Sequence, residues 1–362
     1  MAVINQLSIH QFRNLNAQHI TPCKNINLFI ADNAQGKTNL IEAIYYLGHN
    51  RSFKTKTIKE VISFNADTFQ LDAEINENRV KLKKSNNKNT VYINQQRLTN
   101  TSQLSQLLPI QIITPDKGFI VNGTPKNKRS YLDWGVFHVK PEISKVFKDY
   151  HKVLKSINTL LTNNQTNELD FWFLELAKNA VIINKSRLEY LQQFKQVLLS
   201  NQTKELDTLM DSLDKFDYRF SSGWPKEVNE INEQSIYQYL NKNKSFLLRV
   251  KHLNYGPHKA NIVFSFNDKN ECFLSRGEQK TLSIIFWLTQ VVLLTNLKIK
   301  PIVLIDDLSS ELDERKINSI LHYLKTLKTQ TFITNISQNL STIKQIKPRV
   351  FKIQNGEIKQ KG

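Results

Sequence analysis

The sequence predicts an α/β fold assembled from both ends of the chain, with an all-helical lobe inserted between them. Short β-rich runs fill the beginning and the end of the chain, while a helical spacing of threes and fours takes over in the middle. Near the start, an apolar strand, a Gly-Lys-Thr turn and an amphipathic helix follow one another, the arrangement in which α/β sheets hold phosphate at a helix N-terminus. The expected boundaries are 1–125 for the N-terminal part of the head, 126–244 for the lobe and 245–362 for the C-terminal part.

In order, the strands expected first are LSIHQF and NINLFI, followed by a helix with Leu40, Ile41, Ile44 and Leu47 on one face. TFQLDAEI, RVKLKK, TVYIN and IQIITP are further short strands. From Lys126 to about Lys244 the period is helical, with Trp172, Leu176, Ile183, Leu188, Leu191, Phe194 and Leu198 in register. Trp134 and Trp172 are expected in core packing. After the turn signal SGWP, strands return at NIVFSF, PIVLIDD, QTFIT and RVFKIQNGEI. PIVLI is apolar throughout, as in a strand covered on both faces.

Composition bounds the function. At 362 residues the chain exceeds what one hydrophobic core organises. Hydrophobic residues at 40% exclude a disordered chain. Lys plus Arg number 50 against 32 Asp plus Glu, a formal charge of +18, which favours a polyanionic partner, although Lys and Asn abound everywhere. Local basic clusters are RSFKTKTIK (Arg51 to Lys59), KLKKSNNK (Lys81 to Lys88) and KNKR (Lys126 to Arg129). Cys23 and Cys272 stand far apart and in no metal-ligand spacing, so neither a disulfide framework nor a zinc site is indicated and a reducing, cytoplasmic setting fits. MAVINQLSIHQFRN lacks the apolar run of a signal peptide. Leu282 to Leu294, the longest apolar run, is shorter than the ~20 residues of a bilayer span, so a buried helix and no membrane partner are expected.

Three segments carry chemistry. In Ala31 to Thr38, Gly36, Lys37 and Thr38 complete a phosphate loop in which backbone N–H groups surround the anion, Lys37 neutralises it and the Thr38 hydroxyl ligates Mg²⁺. LIDDLSSELD (Leu304 to Asp313) sets Asp306 and Asp307 at the end of a buried strand, where one holds Mg²⁺ and the other orients a water. In FLSRGEQK (Phe273 to Lys280), Ser275 and Glu278 form a capping box and Gly277 bares backbone at a positive helix end.

In this order the GKT, LSRGEQ and VLIDD-SELD segments resemble the P-loop, signature, Walker B and D-loop of an ABC-type ATPase head. Within it, QLSIHQFRNL, NGTPKNKRSYLDWG, YGPHKAN, LSRGEQK, LIDDLSSELD and FKIQNGEI are similar to the RecF family of bacterial recombination mediators, from one end of the chain to the other. The resemblance implies ATP and Mg²⁺ as cofactors, with Ala31, Asp32, Asn33, Ala34, Gln35, Gly36, Lys37, Thr38, Asn39 and Arg13 around the nucleotide. It implies Thr38 and Asp306 on the metal, Lys37 and Asp307 as catalytic, and Ser275, Arg276 and Gly277 reaching the nucleotide of a second subunit. An ATP-dependent homodimer is implied, which binds double-stranded and gapped DNA. With a RecR-type mediator partner it would help load recombinase on SSB-coated strands, and a weak, DNA-dependent ATPase would reset it.

Departures are equally plain. Ala31 and Ala34 replace glycines of the family pattern, Asp307 stands where most ABC heads carry Glu, and Asn335 stands where transporters carry a switch histidine. Gln111 is a candidate Q-loop residue and His258 a candidate phosphate contact. The basic clusters would meet DNA phosphates without reading bases, so binding weakens with salt. The main alternative is the ATPase subunit of a membrane transporter. A clamp that holds ATP without cleaving it is another. An SMC-type arm lacks its heptads here, and a GTPase lacks N-K-x-D.

Overall fold

Strict alternation over TFQLDAEI and RVKLKK marks strands buried on one face only. The computed structural model of the chain, which describes residues 2–32, 35–114, 119–200, 202–210, 213–307, 312–335 and 346–361, folds them that way. The hairpin β1 (Ile4–Phe12) and β2 (Leu15–Ile20) comes first, and β3 (Ile26–Ile30) leads into α1 (Lys37–His49). An antiparallel run β4 (Thr68–Ile75), β5 (Asn78–Ser85), β6 (Asn89–Ile93) and β7 (Gln96–Arg97) follows, then α2 (Ser102–Leu107) and β8 (Ile110–Ile113). The middle holds α3 (Pro125–Val139), α4 (Ile143–Thr162), α5 (Leu169–Leu198), β9 (Phe216–Ser221), α6 (Glu233–Lys242), α7 (Lys244–Val250), β10 (Asn261–Phe266) and β11 (Lys269–Asn270). The chain closes with α8 (Arg276–Asn296), β12 (Ile302–Ile305), α9 (Glu314–Leu327), β13 (Thr331–Asn335), β14 (Arg349–Gln354) and β15 (Glu357–Gln360).

Contacts divide the chain into two compact units. The first comprises Met1–Phe119, Val197–Ser212 and Ser275–Gly362, the second Ile120–Gln196 and Leu213–Leu274. Within the first unit, one sheet runs β2-β1-β4-β5-β6-β7 and the other β15-β14-β3-β13-β12-β8. In the second sheet β14, β3, β13, β12 and β8 are mutually parallel, and only the edge strand β15 is antiparallel. Its central strands are buried along their whole length, as strands covered on both faces must be.

Both sheets of this unit contribute to one core with α1. Phe12 meets Phe69 edge-on at 5.1 Å and Tyr46 at 6.0 Å, while Phe29 stacks on Phe351 at 4.8 Å. Such pairs exceed their area burial by about 0.5–1.5 kcal/mol. The Gln330 side chain ties the sheets together, taking the Ile4 N–H at 2.8 Å and donating to the Ile4 and Cys23 carbonyls at 2.9 Å each. Helix α8 is buried from Lys280 to Leu294, as its apolar run demands, and among the described residues no helix is long and apolar enough to cross a membrane.

The second unit is mainly helical, with α4, α5, α6 and α7 around Tyr150, Ile157, Phe173, Ile236 and Leu247. It also holds a three-stranded sheet, β11-β10-β9. NIVFSF, assigned by sequence to the head, is β10 and pairs with β9 from Asn261 opposite Ser221 to Phe266 opposite Phe216. The signal that places it is present but short: FDYRFS alternates aromatic and polar residues, with Asp217, Arg219 and Ser221 exposed, the period of a strand. Of the two tryptophans expected in packing, Trp172 lies against this core and Trp134 is half-buried beside His138, ring centroids 4.4 Å apart.

Candidate nucleotide site

The loop between β3 and α1 is built by its own backbone. Gly36 caps α1 at φ 109°, backbone that a β-carbon strains, and a Cβ there would also displace the Asn14 side chain, whose Oδ1 lies 2.8 Å from its position. Ala31 is buried and has no positive φ, so the alanine opening the loop is unstrained. Lys37 Nζ donates to the Ala31 carbonyl at 2.8 Å, folding the side chain back along the loop. Asn39 donates to Asn14 Oδ1 at 2.8 Å, and the Asn355 N–H donates to Gln35 Oε1 at 2.5 Å. Asp32 is exposed and Thr38 half-buried in the first turn. Asn33 and Ala34 lie outside the described residues.

Arg13 sits in the two-residue connection of the β1–β2 hairpin with φ 54°. Its guanidinium grips the fully buried Glu42 of α1 through Nε at 2.8 Å and Nη2 at 2.9 Å, and donates from Nη1 to the Glu60 carbonyl at 2.7 Å. Ser52 also donates to Glu42. Arg13 therefore anchors the hairpin to the loop's helix, and it is the next residue, Asn14, that touches Gly36 and Asn39. Asn14 was not singled out by sequence, nor was Glu42, although a carboxylate within the apolar stripe Leu40, Ile41, Ala43 and Ile44 is itself a signal.

Asp306 and Asp307 follow β12 at the same carboxyl edge as the loop, with β13 lying between β12 and β3. Asp306 is buried. Its Oδ1 accepts the Thr334 hydroxyl at 2.7 Å and its N–H reaches the Ile113 carbonyl at 2.9 Å. Asp307 is half-buried with φ 50°, and its N–H donates to Thr334 Oγ1 at 2.9 Å. Both carboxylates line a small pocket with Thr114 at the end of β8 and with Lys280, Ile284 and Trp287 of α8. Gln111 lies two residues before the end of β8, opposite Val303, three positions and about 10 Å short of the level of Asp306. Thr114, not Gln111, is the β8 side chain at this edge.

Ser275 caps α8, accepting the Glu278 N–H at 3.3 Å while Glu278 Oε2 accepts the Ser275 N–H at 2.7 Å. Ser275 and Arg276 are exposed, and a Cβ on Gly277 would meet no atom within 4 Å. The fold of this chain has no steric need for glycine there. Leu308 to Glu311, which include the first half of the SELD segment, lie outside the described residues; Asp313 caps α9 through the Lys316 N–H at 2.8 Å.

His258 is no free phosphate contact. Its Nε2 donates to the Leu253 carbonyl at 3.1 Å, which leaves Nδ1 to accept the Tyr150 hydroxyl at 2.7 Å, and burial pushes its pKa down to about 4. The basic clusters divide. Lys54, Lys56, Lys59, Lys81, Lys83 and Lys88 are exposed. Lys84 is turned inward onto the Tyr46 hydroxyl at 2.8 Å and the Asn50 carbonyl at 2.9 Å, and burial lowers its pKa to about 8. Lys128 is buried against Glu271, and Arg129 donates to the Ala260 carbonyl at 2.7 Å.

Comparison with known proteins matches this geometry to one group. The family model described as the RecF/RecN/SMC N terminal domain matches residues 3–359. The DNA replication and repair protein RecF of Pseudoalteromonas translucida is 32% identical over 369 residues, covering 98% of this chain and 99% of that protein. The chain belongs to the RecF family. RecF of Mannheimia succiniciproducens is 34% identical over 369 residues, with 99% of each chain covered. A solved structure of the recombination mediator protein RecF-ATP in the RecFOR pathway is similar with a TM-score of 0.86 at 25% identity, covering 100% of this chain and 98% of that one.

Membership of the RecF family corrects the transporter-subunit alternative: the matching model is that of RecF, RecN and SMC heads, an ATPase class. The residues present fit the nucleotide these relatives bind. Gly36 keeps backbone N–H groups free of a side chain, Lys37 rests on a neutral carbonyl, and the oxygens of Thr38 and Asp306 are the hard donors Mg²⁺ takes.

Proposed function

We propose that this RecF-family protein is an ATP-dependent DNA-binding protein of recombinational repair and replication, acting in the cytoplasm on duplex DNA near single-strand gaps. The observation that carries the reading is the shared edge: the Gly36 turn and the Asp306–Asp307 pair end strands separated only by β13 in one parallel sheet. Lys37 exchanges the Ala31 carbonyl for phosphate oxygens, the backbone N–H groups of α1 receive the same anion, and Asp307 orients the attacking water. Mg²⁺ held by Thr38 and Asp306 supplies neutralisation of the phosphate charge. The short reach of Asp307 makes hydrolysis slow, and DNA stimulates it.

Ser275, Arg276 and Gly277 act on the nucleotide of a second copy, so ATP closes a homodimer. The open space around Gly277 supports this, since a glycine unneeded by its own chain fits close approach of another molecule. Exposed lysines meet DNA phosphates. A RecR-type mediator would complete loading of recombinase. Sedimentation velocity of Asp307→Asn with labelled duplex, with and without ATP and Mg²⁺, tests the reading. A dimer that forms on DNA only with ATP is expected, and a monomer indifferent to both refutes it.

A further inference from the structure

One hydroxyl meets both acidic residues at the end of β12, the carboxylate of Asp306 and the backbone N–H of Asp307. Ile305 pairs with Ile333 in the parallel ladder, so Thr334 is the β13 residue beside Asp306, one step past the last paired position. Its Oγ1 accepts the Asp307 N–H at 2.9 Å and donates to Asp306 Oδ1 at 2.7 Å. Because a lone pair takes the amide, the hydroxyl proton is directed onto the carboxylate. The chain Asp307 N–H to Thr334 O–H to Asp306 Oδ1 is polarised in one direction, which strengthens each link. Thr334 is fully buried, so water does not replace its hydroxyl.

Two consequences follow for the residues it touches. The Asp306 carboxylate is held at Oδ1, which orients the group. Asp307 adopts φ 50°, a conformation that a β-carbon disfavours and that persists only where the surroundings enforce it. The amide bond to Thr334 is one such enforcement, and it sets the direction in which the Asp307 carboxylate leaves the strand.

We propose that Thr334 is a positioning residue for ATP turnover, fixing the metal-binding Asp306 and the water-orienting Asp307 as one unit through a single hydroxyl. This rests on the nucleotide reading given above, and neither the phosphate loop nor the signature segment takes part in it. The relay predicts that loss of the hydroxyl is felt as a metal and turnover defect, with nucleotide affinity in the absence of metal left alone.

The test compares Thr334→Val, which keeps the shape and removes the hydroxyl, with Thr334→Ser, which keeps the hydroxyl. Three readouts are taken: kcat and KM for ATP with DNA, the Mg²⁺ concentration that gives half of the ATP-induced rise in Tm, and binding of a fluorescent ATP analogue in EDTA. For Thr334→Val the expected results are a fall in kcat of roughly 30-fold and a rise in the Mg²⁺ half-point of about tenfold, with analogue binding in EDTA within about twofold of the parent. Thr334→Ser is expected within about threefold of the parent in all three. Parent-like kcat and Mg²⁺ demand in Thr334→Val would overturn the relay. So would equal losses in Val and Ser, or a Val variant whose unfolding midpoint falls and whose analogue binding in EDTA falls with it, which mark a packing role. If the parent itself shows no Mg²⁺-dependent Tm rise with ATP, the nucleotide reading fails and the relay with it.

Discussion

Lys37 and Lys128 both lie in the first turns of helices, within short basic motifs, and end in opposite conditions. Lys37 is half-buried and rests on the neutral carbonyl of Ala31, a partner it can exchange for phosphate. Lys128 is buried between the Glu271 carboxylate and the Ile262 carbonyl, and Glu271 is further held by the Asn122 N–H at 2.8 Å. It cannot leave without stranding a buried charge. A basic motif thus becomes a binding group or an internal strut according to whether a carboxylate meets it on folding.

The sharpest way to break the comparison is Lys128→Met, which leaves Glu271 buried and unpaired and should lower stability in urea by about 3–5 kcal/mol. Lys128→Met with Glu271→Leu should recover much of that loss, since an apolar pair needs no partner charge. Unchanged stability in the single variant would mean that Lys128 is as exchangeable as Lys37.

The next effect is a pH dependence confined to the second unit. His258 and His138 are both pushed by burial from the ordinary 6.5 down to about 4. Between these values the unfolded chain holds protons that the folded chain lacks, so stability falls as pH drops from about 6.5 to 4, by up to about 3 kcal/mol per histidine. His258→Gln should remove about half of that slope in acid urea titrations. Retention of the full slope would show that His258 accepts a proton in place.

On the other side of the comparison, Lys37→Met should weaken ATP binding on the order of 100-fold, with the apo urea midpoint nearly unchanged. Gly36→Ala should cost about 1–3 kcal/mol, because a β-carbon is disfavoured at φ 109° and meets Asn14. The smallest expected change is in Gly277→Ala, where helix propensity favours alanine by up to about 1 kcal/mol. Stability should hold or rise while ATP-induced dimerisation, followed by sedimentation, declines.

How far each residue was readable follows from the range of the forces that place it. The glycine turn between β3 and α1 was legible because its features are local: Gly36 supplies the backbone and Lys37 reaches a carbonyl six residues back. The α8 cap was legible for the same reason, Ser275 and Glu278 being one turn apart. The inward placement of His258 and of Lys128 in KNKR is not legible locally, since what meets them, Tyr150 and Glu271, lies 108 and 143 residues away. Gln111 was placed by residue type, whereas the strand register puts Thr114 at the working edge. The bond from Arg13 to Glu42, 29 residues away, and the meeting of Asn14 with the loop are set by the fold and leave no local sign.

By itself the sequence determined the α/β class, the strand–Gly36 turn–helix, the capped helix and the place of the acid pair at a strand end, because periodicity, backbone strain and capping act over a few residues. Tertiary structure alone decided which cations remain exchangeable, that β10 pairs with β9, and that Thr334 stands against Asp306. These depend on strand order and register, which bring together groups distant along the chain, and on burial, which fixes whether a charge is held by water or by a single partner.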